Sequence, residues 1–151
     1  MRSFFKVPQR VHHALLLMTE LAQRTGSGRA VTLQEVAVAA GISQGFLEQV
    51  ALLLRRSGLI VGRRGAGGGY RLAVELKDLT VADVIAAVEG PVSVVECLGD
   101  HATCILAGSC SNRGVWAEIN RQIMGTLSRM TLTEAAGLKP PKRVKKNKRR
   151  T

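Results

Sequence analysis

Apolar residues recur along the first part of the chain at helical spacing. Between residues 7 and 24 they stand mostly three or four positions apart, which puts them on one face of an amphipathic helix. These positions are Val7, Val11, Ala14, Leu15, Met18, Leu21 and Ala22. Pro8 suits the first turn of this helix, because its missing N–H removes no hydrogen bond there.

The same spacing predicts two shorter helices after residue 31. Thr32 and Glu35 form a capping-box pattern ahead of the first helix, which Gly41 ends. Ser43 is expected to cap the second helix, which ends at Gly58. The buried face of this second helix is predicted to contain Phe46, Leu47, Val50, Ala51 and Leu54. Two short helices joined by a tight turn are typical of a helix-turn-helix unit.

A β-hairpin is predicted directly after these helices. Residues 59–61 and 70–73 have the composition of short strands, and the turn between them is basic and rich in glycine. A hairpin in this position is the wing of a winged helix-turn-helix. Loops that cradle nucleotide phosphates are also glycine-rich, but they lie between a strand and a helix. The second strand here argues against a nucleotide site.

The second half of the chain alternates helix, loop and helix. Thr80 is expected to cap a helix that ends at Gly90 and Pro91. Residues 92–111 lack a hydrophobic period and are predicted to be a loop, whereas residues 115–130 carry a continuous apolar stripe on one long helix. The stripe is formed by Val115, Trp116, Ile119, Ile123, Leu127 and Met130.

Composition narrows the class of protein. The 151 residues are 46% hydrophobic but only 3% aromatic, which favours an aliphatic and mainly helical core. The net charge is +11, but eight positive charges lie in residues 139–150, and without them the chain carries only +3. No apolar run approaches the roughly 18 residues of a membrane span, and no signal peptide is recognisable. We therefore expect a cytoplasmic protein with no membrane partner.

The predicted helix-turn-helix and wing suggest contacts with DNA. Residues at the start of a recognition helix read base edges in the major groove, and Ser43, Gln44 and Gly45 occupy that position. At the tip of the wing, Arg64 suits a narrow minor groove and Arg63 suits a phosphate contact. The alternative is a small helical unit with no role in DNA binding.

The three cysteines, Cys97, Cys104 and Cys110, all lie in the predicted loop. An odd number of clustered thiols in a reducing compartment indicates a metal or redox site rather than a disulfide framework. Thiolates are soft ligands that suit an iron–sulfur cluster, zinc or copper(I). Redox-active thiols and inert buried cysteines are alternatives that the spacing leaves open.

Three segments carry a specific resemblance to a known family. They are GISQGFLEQ (residues 41–49), LRRSGLI (54–60) and RGAGGGY (64–70). In this order they resemble the Rrf2 family of winged-helix regulators, of the IscR, NsrR and RirA type, and the similarity runs from about residue 4 to residue 136. It implies a mainly α fold, a winged helix-turn-helix with a long C-terminal dimerisation helix, and a homodimer on a pseudo-palindromic operator of double-stranded DNA.

We therefore predict three segments. Residues 1–78 form the winged helix-turn-helix DNA-binding domain, residues 79–136 hold a cluster-binding loop and the dimerisation helix, and residues 137–151 form a disordered basic tail. The apolar stripe from Trp116 to Met130 would be the dimer seam. No nucleophile–base pair or paired carboxylates form a catalytic constellation, so we expect a regulator and not an enzyme.

The resemblance also extends the set of DNA-binding residues. Phe46 and Glu48 in the recognition helix and Gly65 in the wing join those named above, and Glu48 matches an acidic residue that tunes DNA selectivity in IscR-type members. Those members often have serine and tyrosine where Gly45 and Phe46 stand. Because two hydroxyl groups are missing, the operator sequence is not carried over. Ala66 replaces the usual wing proline, which is a mild change.

For the three cysteines the resemblance implies an iron–sulfur cluster that controls operator binding. Arg113 stands where IscR-type members have a histidine ligand, and it does not serve in that role. In the NsrR type the partner's first helix supplies the ligand, and alignment puts His12 there. His101, an exogenous ligand or no ligand are the alternatives. Because the IscR-type histidine is missing, we favour a 4Fe–4S cluster over a 2Fe–2S cluster. The alternative function is a winged-helix regulator with zinc-bound or redox-switch cysteines and no cluster.

Overall fold

The computed structural model describes residues 6–24, 28–99, 104–106 and 109–139. Within these ranges it contains α-helices and one two-stranded antiparallel sheet. The elements are α1 (Gln9–Arg24), α2 (Leu33–Ala40), α3 (Gln44–Arg56), β1 (Ile60–Arg63), β2 (Gly69–Leu72), α4 (Val81–Glu89), α5 (Arg113–Arg129) and α6 (Leu132–Ala135). This order confirms the predicted winged helix-turn-helix with a long C-terminal helix. The predicted disordered tail lies outside the described residues from residue 140 onward.

The core is aliphatic and centres on α1, which contacts α3, α4, α6 and β2. The buried residues of α1 are Val11, Ala14, Leu17, Met18, Leu21 and Ala22. Leu17 is buried, whereas the pattern predicts Leu15 on the buried face. Leu17 follows Ala14 by three positions and precedes Leu21 by four, so it lies on the same face of the helix as both. Val7 lies ahead of the helix and is 63% exposed. Pro8 precedes α1, and its carbonyl accepts the first backbone hydrogen bonds of the helix.

The helix ends follow from local capping. The predicted capping box is present at Thr32, ahead of α2, and Thr80 caps α4 as expected, in a capping box with Asp83. Gly41 ends α2 in the left-handed conformation. Ser43 stands at the N-cap of α3, but its side chain makes no capping hydrogen bond. Ser43 therefore stands at the expected cap position, but the expected hydrogen bond from its hydroxyl oxygen is not made.

The segment after α5 returns to the core and forms α6, which the hydrophobic pattern did not reveal. Its start has a third capping box, in which Thr131 accepts from the Glu134 backbone. The backbone of Leu132 donates to Leu79 at 2.8 Å, and that of Val81 donates to Met130 at 2.9 Å. Leu132 is fully buried. The core therefore takes residues from both sides of residue 78, while the division into domains at that point stays a prediction.

α5 packs differently from the other long helices. None of its described residues is buried, although it carries the predicted apolar stripe. Trp116, Ile119 and Ile123 are half-buried, and Val115 and Met130 are 59% and 44% exposed. An apolar stripe that its own chain covers only in part is a surface suited to a partner.

None of the helices within the described ranges is both long and apolar enough to cross a membrane.

Replacing Leu132 by Ala should lower the free energy of unfolding by about 2–5 kcal/mol, because it empties a fully buried site that joins α6 to the core. Chemical denaturation at fixed protein concentration measures this. Val38→Ala is the control, since Val38 is 78% exposed and its loss should change stability by about 0.5 kcal/mol or less. Equal losses in the two variants would contradict the packing of α6.

Acid should weaken the junction between α1 and α4. A hydrogen bond and the charge of Arg10 hold the pKa of Glu89 below its ordinary value of 4.5. Because the folded pKa lies below the unfolded one, the stabilisation is present above about pH 4.5 and is lost as the pH falls through the folded pKa. The difference in melting temperature between wild type and Glu89→Gln should therefore be largest near pH 7 and close towards pH 3. A constant difference would contradict this.

Candidate nucleic-acid interface and cysteine site

The first turn of α3 presents polar groups to solvent. Ser43, Gln44 and Gly45 are exposed, as is Glu48 one turn later. The Gln44 side-chain amide donates to the Glu48 carboxylate at 3.0 Å. The two side chains predicted to read bases are thus paired with each other in the free protein. This pairing leaves the Gln44 carbonyl oxygen as the acceptor available for a base edge.

Phe46 faces the protein interior from the same turn. It is half-buried and packs against the hydrophobic core. Its ring meets the edge of the His13 ring on α1, with centroids 4.9 Å apart and planes at 81°. Within the part of the chain that the structure describes, the buried Nδ1 atom of His13 has no hydrogen-bond partner. Phe46 therefore anchors the start of α3 on α1, and direct contact of Phe46 with DNA stays a prediction.

The wing is a short hairpin whose register is Ile60 with Leu72, Val61 with Arg71, Gly62 with Tyr70 and Arg63 with Gly69. Arg63, Arg64 and Gly65 are all exposed in the turn or at its edge. The strands are shifted by one or two residues from the predicted bounds. The Tyr70 ring lies 3.4 Å from the position that a Cβ on Gly62 would take, so it covers the glycine across the sheet.

A single residue of the loop before α2 extends the sheet. Val31 and Tyr70 exchange backbone hydrogen bonds of 2.9 and 2.7 Å. The wing is thereby joined to the start of the helix-turn-helix, a pairing that the sequence pattern did not reveal. The only hint was the β-branched Val31 between a loop and the capping residue Thr32.

Two glycines of the wing are required by close backbone approach. A Cβ on Gly68 would lie 2.5 Å from the Arg63 carbonyl oxygen and 2.7 Å from that of Gly65. A Cβ on Gly69 would lie 2.6 Å from the Val31 carbonyl oxygen, and Gly69 also has a φ of +136°. The glycine run therefore serves to fold the wing tightly against its base.

The cysteine loop is tied to the start of α5. Cys97 lies in a short 3-10 turn (Glu96–Leu98), and its carbonyl oxygen accepts a 2.8 Å hydrogen bond from the Arg113 guanidinium. The Arg113 backbone N–H donates to the Cys110 carbonyl oxygen at 3.2 Å. Arg113 thus connects Cys97 through its side chain, and Cys110 through its backbone, to the start of α5.

The three thiols are free, with Cys97 and Cys110 half-buried and Cys104 exposed. Cys97 and Cys104 line one open pocket together with Val94, Val95 and Glu96. Among the residues that the structure describes, no three His, Cys, Asp or Glu side chains are grouped to hold a metal ion. The donor set itself fits a soft metal centre, because it consists of thiols alone.

The predicted fourth ligand is one of two adjacent histidines on α1. His12 is exposed, whereas His13 is half-buried against Phe46. Of these two histidines, His12 is therefore the more accessible to a second copy. Its role as a ligand stays a prediction, and His101 lies outside the described residues.

Comparisons with known proteins extend over this whole arrangement. Residues 7–137 match the Rrf2 family, described as an iron-dependent transcriptional regulator. The HTH-type transcriptional regulator IscR of Photobacterium profundum is 36% identical over 122 residues, which cover 81% of this chain and 70% of that protein.

Two solved structures have the same fold. CymR, the global cysteine regulator of B. subtilis, is similar with a TM-score of 0.75 and 33% identity, covering 89% of this chain and 98% of that one. T. potens IscR is similar with a TM-score of 0.71 and 31% identity, covering 87% and 85%.

Replacing Gly68 by Ala should distort the wing without unfolding the core, because the added methyl group meets two backbone carbonyls. Backbone strain of about 1–3 kcal/mol corresponds to a loss of duplex binding of roughly 5- to 150-fold. Fluorescence anisotropy with a labelled duplex measures the affinity. Ala66→Ser, in the same exposed turn, should bind like wild type. Unchanged binding by Gly68→Ala would show that the wing geometry is not needed.

Proposed function

Because the chain belongs to the Rrf2 family of transcriptional regulators, we propose that it binds operator DNA as a homodimer and that an iron–sulfur cluster on its three cysteines controls this binding. The observation that carries the proposal is the link between the cysteine loop and α5. Arg113 binds the carbonyl oxygens of Cys97 and Cys110, so the loop and the first turn of α5 are held together. A change at the thiols then reaches the helix expected to pair the two copies.

The first turn of α3 and the tip of the wing supply the DNA contacts. α3 enters the major groove with Ser43 and Gln44 facing the bases. Arg64 enters the minor groove and Arg63 binds a phosphate. Gln44 donates one amide N–H to Glu48 in the free protein, so its carbonyl oxygen and its second N–H stay available to a base. Glu48 thus influences which base pair Gln44 recognises. The protein acts in the cytoplasm, where the bacterial chromosome lies.

A second copy of this chain covers the apolar stripe of α5. The stripe is left unburied by its own chain, with Val115 more than half exposed. Pairing through this helix sets the distance between two recognition helices. An operator with two half-sites requires that distance to be about 34–36 Å or a multiple of it. A small rotation of α5 therefore changes the affinity for the operator.

The residues that would hold the cluster are Cys97, Cys104 and Cys110, with the partner's His12 as the fourth ligand of a 4Fe–4S centre. Such a centre supplies iron that responds to oxygen, nitric oxide or iron supply. The family description, which names an iron-dependent regulator, and the similarity to IscR support an iron-containing cluster at these cysteines. The residues of this chain contribute the thiolates, the anchoring by Arg113 and an exposed imidazole on α1.

The second candidate function is a regulator whose cysteines bind zinc or act as a thiol switch without a cluster. It is favoured by the pocket that Cys97 and Cys104 both line, since a redox switch needs two thiols that can reach each other. The similarity to CymR, named a global cysteine regulator, is compatible with it.

Anaerobic purification with an absorption spectrum and iron, sulfide and zinc analysis tests the proposal. We expect brown protein with stoichiometric iron and sulfide, and colourless protein from Cys104→Ala, because one of three thiolates is lost. Cys104 is exposed, so the variant should keep its fold. Ser109→Ala, an exposed position of the same loop, should stay brown.

The same preparations are then assayed on a duplex selected by the wild-type protein from a randomised pool. Operator affinity should differ between cluster-loaded wild type and Cys104→Ala. If the wild-type protein is colourless and contains zinc or no metal, the cluster proposal is wrong and the second candidate function takes its place.

A further inference from the structure

A cleft separates the turn of the wing from the loop that leads into α2. It has a volume of about 370 Å³. Its lining consists of Arg29, Ala30, Thr32, Arg63, Gly65, Gly67, Gly68 and Gly69. Two arginines therefore line one cleft, Arg29 from the loop before the helix-turn-helix and Arg63 from the end of β1.

Glu35 fixes the position of Arg29. Its carboxylate accepts hydrogen bonds from the Thr32 backbone N–H at 2.8 Å and from the Thr32 hydroxyl at 2.9 Å, and it also pairs with Arg29. The hydrogen bonds from Thr32, and then Arg29, hold the pKa of Glu35 below its ordinary value. The carboxylate therefore remains charged and orients the guanidinium at the edge of the cleft.

The opposite wall is fixed by the glycine turn. The Gly68 backbone N–H donates to the Gly65 carbonyl at 2.8 Å, and positive φ angles occur at Gly65, Gly67 and Gly69. These conformations make a tight, concave turn, in which the Gly68 N–H is used within the turn itself. The absence of side chains at the glycines leaves the cleft open to a ligand as large as a phosphate group.

From this geometry we infer that the cleft binds one phosphate group of the DNA backbone, with Arg29 and Arg63 donating to the same phosphate. The inference rests on the proposed function and adds Arg29 to the interface. Guanidinium groups match phosphate oxygens with paired donors, and Glu35 offsets only one of the two positive charges. Val31, two residues after Arg29, pairs with Tyr70 of the wing. Backbone hydrogen bonds therefore join the two segments that carry the arginines.

The test is the salt dependence of binding to a fixed-sequence duplex of about 30 base pairs and to the selected operator. Each neutralised phosphate contributes a slope of about 0.9 to the fall of log K with log salt. For one shared phosphate, Arg29→Ala and Arg63→Ala should each lower the slope by less than this. The double variant should lower it by about 0.9 in total and bind about eightfold more weakly at 0.1 M salt on both duplexes.

Arg71→Ala is the matched control. Arg71 is exposed on β2 and carries the same charge, but it does not line this cleft. It should leave the slope within error of wild type. Arg29→Lys should keep the slope and recover part of the affinity, because it retains the charge without the planar fork.

Two results would overturn the inference: an unchanged slope in Arg29→Ala, or a double variant whose slope falls by about 1.8, which indicates two separate phosphates. Failure of the proposed function looks different, since the wild-type protein itself would then show no preference for any duplex of the randomised pool. Circular dichroism of each variant confirms that the fold is intact.

Discussion

The buried face of α1 is the constraint on which the rest of the structure depends. It contacts α3, α4, α6 and β2, so it is the surface against which the remaining elements are positioned. Its fully buried side chains, Leu17 and Met18, each contribute on the order of 1.5–3 kcal/mol by leaving water. In a chain with few aromatic residues, this aliphatic packing is the main source of stability.

The DNA-facing parts inherit their positions from this core. The start of α3 is held by the contact between Phe46 and His13 on α1, and the wing is held by the pairing of Val31 with Tyr70. The groups proposed to touch DNA are therefore mainly exposed side chains on backbone segments that contacts with the core hold in place. Such preorganisation keeps the entropy cost of binding low, because few groups need to be ordered on contact.

The cysteine loop and α5 follow another logic. Local hydrogen bonds from Arg113 attach the loop to the helix, but the helix buries none of its described residues in its own chain. A part of the molecule with few buried contacts is free to respond to a ligand or a partner. The winged helix and the C-terminal unit are joined through α4 and α6. α4 precedes the cysteine loop in sequence and α6 follows it, and both helices contact α1.

The sequence by itself determined the helices, the wing and the family, because capping boxes, glycine positions and hydrophobic periods act over a few neighbouring residues. Thr32 with Glu35 and Thr80 with Asp83 bond as their spacing predicted, and the motif at Thr131 and Glu134 was equally visible in principle. Only the tertiary structure decided that Val31 joins the wing, that Arg113 ties the cysteine loop to α5 and that Arg29 and Arg63 line the same cleft. These contacts join residues from separate segments, and no local period or propensity encodes them, since they exist only once the core has brought the segments together.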